Sequence, residues 1–598
     1  MIFFSLKSYK NLCLFGFYND ETEEKTFFEI SEYYNDLKPL LVFLKNNQKE
    51  FLVGYNMENF NNYMLNFILT NFNSLLEEKG VMAAFQLNSI SLSIINGVAD
   101  INLKYSNYFK FIDLMKYVGN SNDRISMNDL KYLFEIEDAN DFPETENGFI
   151  DKINKNDVFD CIRNNLKTLK IIYDINLKKI MFRLALGKEV GFNLLNKYDE
   201  SIGNNYLLGK YMQKYKVPKN SFLQLKQQEK KELLDLNSFF QKEFIYKNKS
   251  INDFYELIKN NISHEVEIPN LFNIEEQKFF LNNKQIRLEI KETLIKEDLI
   301  NIDFKYIYIE YLIRNKIYPN FLDEDFYLMI EEVYVNLLIA IRNNNIQEIE
   351  KCDLILNKII ENMSVPSSFT ESKYTQYKIY INVLFIILEL IDDLISLKAK
   401  IILCDKNYIT IQADSNREEI IKCINSWHNK YYSNKSISIY DKLVFSDYNN
   451  YLIFKSKKYG SDYLITKGFF QEKRNLNSRY PLIIIKAFRL HIENKIDIKD
   501  YINKQNDIND FIVYYKTNRT FDLIYNKSPI QRNLRFVYSP KGYDLYRINK
   551  EKNKEELVAK KIQLLIKKED AEIDKSIYLS NAISFKNQFI KTIQKSIW

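Results

Sequence analysis

The chain has 598 residues, too many for one ordinary core, and is expected to divide into about two to four domains. Apolar residues make up 46% and aromatic residues 15%, which excludes a disordered chain. The net charge is only +5, but residues 471–598 hold 26 Lys+Arg against 15 Asp+Glu while the rest holds 58 against 64. A basic C-terminal segment on an acidic body points to a polyanion partner at that end; solvated helix faces are the plain alternative.

In chain order, Ile2 to Phe4 and Leu12 to Phe17 read as adjacent strands joined by a short turn, and Thr26 to Ile30 as a third. Leu40 to Leu52 and Met64 to Leu76 carry helical spacing. Strands followed by helices imply a layered α/β domain over residues 1–200. Residues 201–285 read as a polar helical linker with Pro218 and Pro269 as breaks. From Ile286 to Asp303 apolar residues alternate with charged ones, a strand signal. Residues 325–365 read as a helical hairpin, 374–397 as an apolar helix, and Ala399 to Gln412 as strand, tight turn, strand. From 480 onward the chain is expected to be largely helical, with short strands near Leu534 to Arg547.

The most apolar stretch, Tyr380 to Ile395, contains Glu389, Asp392 and Asp393. A membrane span needs about 20 uninterrupted apolar residues, so a buried helix is expected and no membrane partner. No secretory signal opens the chain, and Cys13, Cys161, Cys352, Cys404 and Cys423 have no paired spacing; a reducing cytoplasm is expected. His264, His428 and His491 lie far apart without cysteine partners at ligand spacing, so no zinc is expected. Asn, Lys, Ile and Tyr are abundant beside 13 Gly and 9 Pro, so lysine and asparagine runs carry little information.

Motifs occur in a telling order. Phe4-Ser5-Leu6-Lys7-Ser8-Tyr9 is followed by Gly54-Tyr55-Asn56 with Phe60-Asn61, by Phe111-Ile112-Asp113-Leu114, and by Cys161 to Thr168. Later come Asp303-Phe304-Lys305-Tyr306-Ile307-Tyr308, Tyr318-Pro319, Lys358 with Asn362, Cys404-Asp405-Lys406-Asn407-Tyr408, Asp447 to Tyr451, Thr466-Lys467-Gly468, and Gln531 to Gly542. This series resembles a compact family B DNA polymerase of the kind phages and mobile elements encode, with an N-terminal RNase H-like 3′–5′ exonuclease domain. The resemblance spans nearly the whole chain.

The resemblance implies where metal-binding carboxylates belong. Two-metal chemistry needs carboxylates holding two cations about 3.5–4 Å apart. In the exonuclease motifs Ser5 stands in place of Asp, Lys7 in place of Glu and Asn61 in place of Asp. The third helix offers Asn164 or Asn165, ambiguous by one position. Asp113 matches a recurrent position but builds no metal pair alone. The Lys7 ammonium would fall in the cation's own space.

In the polymerase motifs Asp303 and Asp405 retain two carboxylates, and Asn407 replaces the third beside Lys406. Any Mg²⁺ is expected at Asp303 and Asp405, weakly held or absent. The resemblance implies that Tyr308 lies beneath the sugar of a nucleotide, that Arg342 and Lys358 meet its phosphates, and that Asn362 packs near the base pair. It implies that Lys467 and Gly468 approach the primer and that Arg535, with Tyr538-Ser539, belongs to the thumb. The proline of the family's Ser-Leu-Tyr-Pro is lost, Val365-Pro366 stands where Tyr-Gly is expected, and Asn282-Asn283-Lys284 stands where paired glycines often lead into the palm.

The expected architecture is therefore α/β and α+β multidomain. An RNase H-like exonuclease-like domain (1–200) and the helical linker region (201–285) precede a right hand. Its palm covers 286–324 and 374–470, its fingers 325–373, and its thumb with the basic C-terminal region 471–598. The expected function is that of a catalytically inactive relative that binds primer–template DNA, or a replication partner, in the cytoplasm, the host's if phage-encoded. The alternatives are an active but divergent DNA polymerase, and a virion or structural protein that keeps only the fold.

Overall fold

A computed structural model describes residues 1–98, 108–119, 125–134, 148–150, 155–216, 242–263, 271–274, 277–282, 285–289, 294–365, 368–413, 416–433, 436–455, 464–471, 480–493, 495–518, 520–530, 533–552, 554–565 and 571–595. Pro218, Pro269, His264, Asn283, Lys284, Pro366 and Gln531 lie outside the described residues. The chain forms two compact units. The first comprises Met1–Leu184, Leu195–Tyr198 and Gln471–Asn587, the second Ala185–Leu194, Asp199–Phe470 and Gln588–Trp598. Strands are numbered along the chain.

The first unit opens with β1 (Ile2–Tyr9), β2 (Leu12–Asn19), β3 (Lys25–Ser31), β4 (Phe51–Gly54) and β5 (Lys110–Asp113). They form one sheet in the order β3-β2-β1-β4-β5. The first three are antiparallel, and β4 and β5 join parallel to β1. Period-two alternation decides the layers. Phe4 enters a core with the helices Asn62–Thr70 and Gly80–Ile95, while Phe3 enters another with the helix Lys155–Val190.

The helix expected over Leu40 to Leu52 ends at Asn46, and β4 begins at Phe51. Asn47 donates its side-chain amide to the Phe43 carbonyl at 2.8 Å, closing the last turn. Asn71 does the same to Phe67 at 2.9 Å and splits the expected Met64 to Leu76 helix in two.

In the second unit β6 (Leu271–Ile274), β7 (Gln277–Asn282) and β8 (Gln285–Leu288) form a small sheet, so strand begins earlier than the alternation from Ile286 indicated. Helices Asp199–Tyr215 and Lys249–Ser263 precede it. Then come β9 (Leu294–Asp303), β10 (Lys400–Asp405), β11 (Tyr408–Gln412), β12 (Ser436–Asp447), β13 (Asn450–Lys455) and β14 (Leu464–Lys467). They make an antiparallel sheet in the order β10-β11-β9-β12-β13-β14. The apolar helix Lys373–Ser396 is buried as expected, in a core shared with this sheet. Each aliphatic side chain it buries stabilises the unit by about 1.5–3 kcal/mol relative to exposure. Asp392, one of its three acids, accepts the Lys247 and Asn248 amides at 2.7 and 2.8 Å. Asp325–Arg342 and Ile346–Leu356 form the expected helical hairpin. Among the described residues no helix is long and apolar enough to cross a membrane.

The C-terminal part of the first unit departs most from expectation. Helices Leu482–Ile492 and Ile498–Lys504 are present, but residues 513–564 form a sheet: β15 (Val513–Lys516), β16 (Phe521–Tyr525), β17 (Ser528–Ile530), β18 (Asn533–Asn549) and β19 (Lys554–Leu564). β19 is rich in Lys and Glu and reads poorly as a strand alone. Pairing along the 17-residue β18 outweighs local propensity, and the exposed face takes the charges. Within this unit the buried Asp129 accepts the Tyr514 hydroxyl and the Lys516 ammonium, the latter at 2.6 Å. Tyr132 stacks on Tyr514 with ring centroids 4.5 Å apart, so β15 is tied to the helix Met127–Leu133.

Candidate functional site

The N-terminal site begins at a glycine. Gly16 lies opposite Ser5 in the β1–β2 register. A Cβ there would come within 2.3 Å of Ile162 Cγ2, so glycine permits the helix Lys155–Val190 to lie close on the sheet. One turn on from Ile162, Asn165 donates its amide to Ser5 Oγ at 3.1 Å, and both residues are buried. Of the two asparagines, Asn165 meets Ser5, whereas the Asn164 carbonyl accepts the Thr168 hydroxyl within the helix. Lys7 shares the Ser5 face of β1, is half-buried, and forms no ion pair among the described residues.

Asn61 ends a one-turn π-helix, Met57–Asn61, and spends its amide on the Tyr55 carbonyl at 2.9 Å. Asp113 is fully buried at the end of β5 and accepts the Glu58 and Met115 amides at 3.0 and 3.1 Å. Burial raises its carboxyl above the usual range, against those amides and the Lys116 charge. Its work is to pin the π-turn. Ser5, Asn165, Asn61 and Lys7 present hydroxyl, amides and an ammonium, none of which is an anionic ligand for a cation.

The second site lies along one edge of the six-stranded sheet. Asp303 ends β9 and pairs with Tyr408 at the start of β11, and Asp405 ends β10 and also pairs with Tyr408. The Asn407 carbonyl accepts the Phe304 amide at 2.8 Å, which sets the 405–408 turn beside Asp303. The Asp303 and Asp405 carboxylates and Asn407 are thus neighbours. Asp303 accepts the Lys305 amide at 2.8 Å, and burial raises its carboxyl above the usual range despite that bond and the Lys305 charge.

Asp405 is engaged elsewhere: Arg287 Nε lies 2.6 Å from its Oδ1, and the same guanidinium stands 5.1 Å over the Tyr448 ring. Lys406 Nζ lies 2.6 Å from Glu361 Oε1, and Lys358 binds Glu361 Oε2. Burial would raise the Glu361 carboxyl, but the two lysine contacts outweigh it and hold the group below the usual range. Charges therefore alternate from Arg287 through Asp405, Lys406 and Glu361 to Lys358. Tyr308 is buried at 5.3 Å, edge-on, to Tyr380. Burial, then nearby Tyr380, Cys404, Asp405 and Glu361, drive its hydroxyl far up.

Two-metal chemistry needs several free anionic ligands. Here one carboxylate is neutralised by a guanidinium, the next position is a neutral amide, and an ammonium stands between them, so the residues do not fit a Mg²⁺ pair. Among the described residues no group of three or more His, Cys, Asp and Glu could hold a metal.

The remaining residues divide. Lys467 is exposed, donates to the Tyr448 carbonyl at 2.9 Å and lies 5.3 Å over the Tyr451 ring. Gly468 has φ +66°, and a Cβ there would lie 2.2 Å from the Asn449 carbonyl, so only glycine closes this strand end on the 447–450 turn. Tyr448 also donates to the Cys404 carbonyl at 2.8 Å, linking this turn to Asp405. Lys358 does not continue a long helix; it sits at φ +65° before the short helix Ile359–Asn362. Asn362 spends its amide on the Glu200 carbonyl at 2.7 Å. Arg342 is exposed at the tip of the hairpin, and the return helix, about 16 Å long, carries the chain away from it to Lys358. It does not join the ladder. Arg535 belongs to the other unit and is 9% exposed on β18.

Two residues of the ladder escaped the sequence reading. Glu361 follows Lys358 by three positions, a pairing visible in the sequence. Arg287 meets Asp405 across 118 positions, and nothing local marks it.

No protein-family model and no curated protein matches this chain. Among solved structures it is similar to the family B DNA polymerase from the hyperthermophilic archaeon Pyrobaculum calidifontis, with 10% identity and a TM-score of 0.45, over 98% of this chain and 77% of that one. A score of that size describes a likeness in outline and decides nothing about chemistry.

Proposed function

We propose that this chain is a polymerase-like protein that binds DNA and performs neither nucleotidyl transfer nor exonucleolysis. The observation that carries the reading is the Arg287–Asp405 pair at 2.6 Å. A carboxylate that must bridge metals cannot also neutralise a fixed guanidinium. In-line phosphoryl transfer needs positive charge that follows the developing transition state, and a cation locked in an internal pair supplies little of it. The N-terminal site supports the same reading, because Ser5, Asn165 and Lys7 offer no anion to a metal. In this reading residues 1–200 act as the exonuclease-like part, the six-stranded sheet as palm, the hairpin as fingers and residues 471–598 as thumb.

DNA binding is supported by the basic excess of residues 471–598 and by the exposed Lys560 and Lys561 on β19, which form no ion pair among the described residues. Lys467 offers a further exposed ammonium. A replication or virion protein in the cytoplasm is the second partner class.

Fluorescence anisotropy with labelled primer–template and a parallel extension assay test both halves. Affinity should fall with salt, each neutralised phosphate adding about −0.9 to the slope of log K against log salt. Lys560→Ala with Lys561→Ala should reduce that slope. No extension is expected. Asn407→Asp with Lys406→Thr should remain inactive until Arg287 is also replaced. Robust extension by the unmodified protein, lost in Asp303→Ala, would establish the divergent polymerase instead. No affinity at low salt would leave a protein scaffold.

A further inference from the structure

Glu361 presents an unusual arrangement for a half-buried carboxylate. Its two oxygens are divided between two lysines, Oε2 to Lys358 and Oε1 to Lys406, the latter at 2.6 Å. Lys358 comes from the residue just before the short helix Ile359–Asn362, and Lys406 from the turn between β10 and β11. The two ammoniums therefore converge from separate elements on one small anion. The backbone is bent to achieve it: Lys358 has φ +65°, a region that a non-glycine residue enters at a cost and that persists only where the surroundings impose it.

The exchangeable character of the contact matters as much as its geometry. The side chains of Lys358, Glu361 and Lys406 are 38%, 32% and 27% exposed, so solvent and solutes reach all three. Along the ladder Arg287, Asp405, Lys406, Glu361 and Lys358 the charges leave one surplus positive charge. Neutralising Glu361 leaves two surplus positive charges and frees two ammonium donors that already point at one spot. A carboxylate bridging two ammoniums is a small stand-in for a phosphate, which carries more charge and more acceptor oxygens.

We propose that Glu361 is an internal counter-anion that closes a Lys358–Lys406 polyphosphate site, so that a free polyphosphate must displace the carboxylate to bind. The site takes its place from the reading of this edge as polymerase-like, but the displacement rests on the ion pairs alone. In the unmodified protein the carboxylate occupies both ammoniums and offsets half of their charge, and affinity for a polyphosphate is weak.

Isothermal titration of the full chain with inorganic pyrophosphate, in EDTA and low salt, tests this. Glu361→Gln keeps the side chain's size and removes its charge; it should bind pyrophosphate at least about tenfold more tightly than the unmodified protein. Adding Lys358→Ala and Lys406→Ala to that variant should abolish the gain. An equal or weaker affinity in Glu361→Gln, or a gain that survives loss of both lysines, overturns the proposal. A second measurement covers a Glu361→Gln chain that does not fold. On the unmodified protein, acetylation of Lys358 and Lys406 should slow at high pyrophosphate while that of Lys305 does not, and absence of protection at both sites overturns it. A parallel arm with a deoxynucleoside triphosphate distinguishes a site for phosphate alone from one that also holds a sugar near Tyr308. Primer–template affinity is measured separately, so loss of DNA binding would defeat the functional reading and leave this one standing.

Discussion

Replacing Arg287 by methionine removes a guanidinium from the carboxylate edge and keeps most of its aliphatic volume. Two contacts are lost. One is the charge-assisted hydrogen bond to Asp405, 2.6 Å long and mostly shielded, with side chains 27% and 12% exposed. Such bonds contribute about 1.5–3 kcal/mol. The other is the cation over the Tyr448 ring at 5.1 Å, contributing about 0.5–1 kcal/mol where partly exposed. Partial solvent screening lowers the first figure, so Arg287→Met should destabilise by about 2–3 kcal/mol. Asp405→Asn completes a double-mutant cycle in urea unfolding, with a coupling energy of about 1–2 kcal/mol expected. The single Arg287→Met variant should also gain stability from Mn²⁺ that the unmodified protein does not, because Asp405 is released. A coupling below about 0.5 kcal/mol would show that the pair is incidental and remove the main argument against a metal at this edge.

Asp303→Asn should leave stability at neutral pH unchanged or raise it. The folded carboxyl is raised by burial, so the stability it contributes is present below the unfolded value, near pH 4, and is lost as pH rises through the folded one; a destabilised variant in urea at pH 7 would contradict this. Asp129 behaves oppositely. Burial pushes it up, but Lys516, the Ser126 amide and Tyr514 outweigh that and lower it, so its contribution holds above the unfolded value and fades as pH falls through the folded one. Asp129→Asn should therefore cost about 1–3 kcal/mol at pH 7 and less near pH 3, measured by urea titration at both. Gly16→Val should destabilise by about 1–3 kcal/mol through the Ile162 contact, with faster hydrogen exchange along Lys155–Val190 as the readout.

Legibility followed the range of the forces involved. The strands at Ile2 and Leu12, the helical hairpin, the buried helix Lys373–Ser396 and the strand-turn-strand at Lys400–Gln412 all stand where periodicity indicated. Asn47 and Asn71 closed helices early because a side-chain amide competed for the last carbonyls, an effect periodicity does not register. Within 513–564 the strand expected near Leu534 to Arg547 stands as β18, while the sheet around it was not legible: β19 is charged, and only its long partner makes it a strand.

The same division runs through the site. The sequence by itself determined that Ser5, Lys7, Asn61 and Asn407 bring no carboxylate, since they are neutral or cationic wherever they are placed. It also showed Glu361 three residues from Lys358. Only the tertiary structure decided that Asn165 rather than Asn164 meets Ser5, that Arg535 is buried, and that Arg342 ends far from Lys358 along the hairpin. It alone brought Arg287 to Asp405 and Lys406 to Glu361. Charge type is a property of each residue, but whether a charge is spent depends on a partner that strand register and helix packing deliver from more than a hundred positions away in one case and 45 in the other.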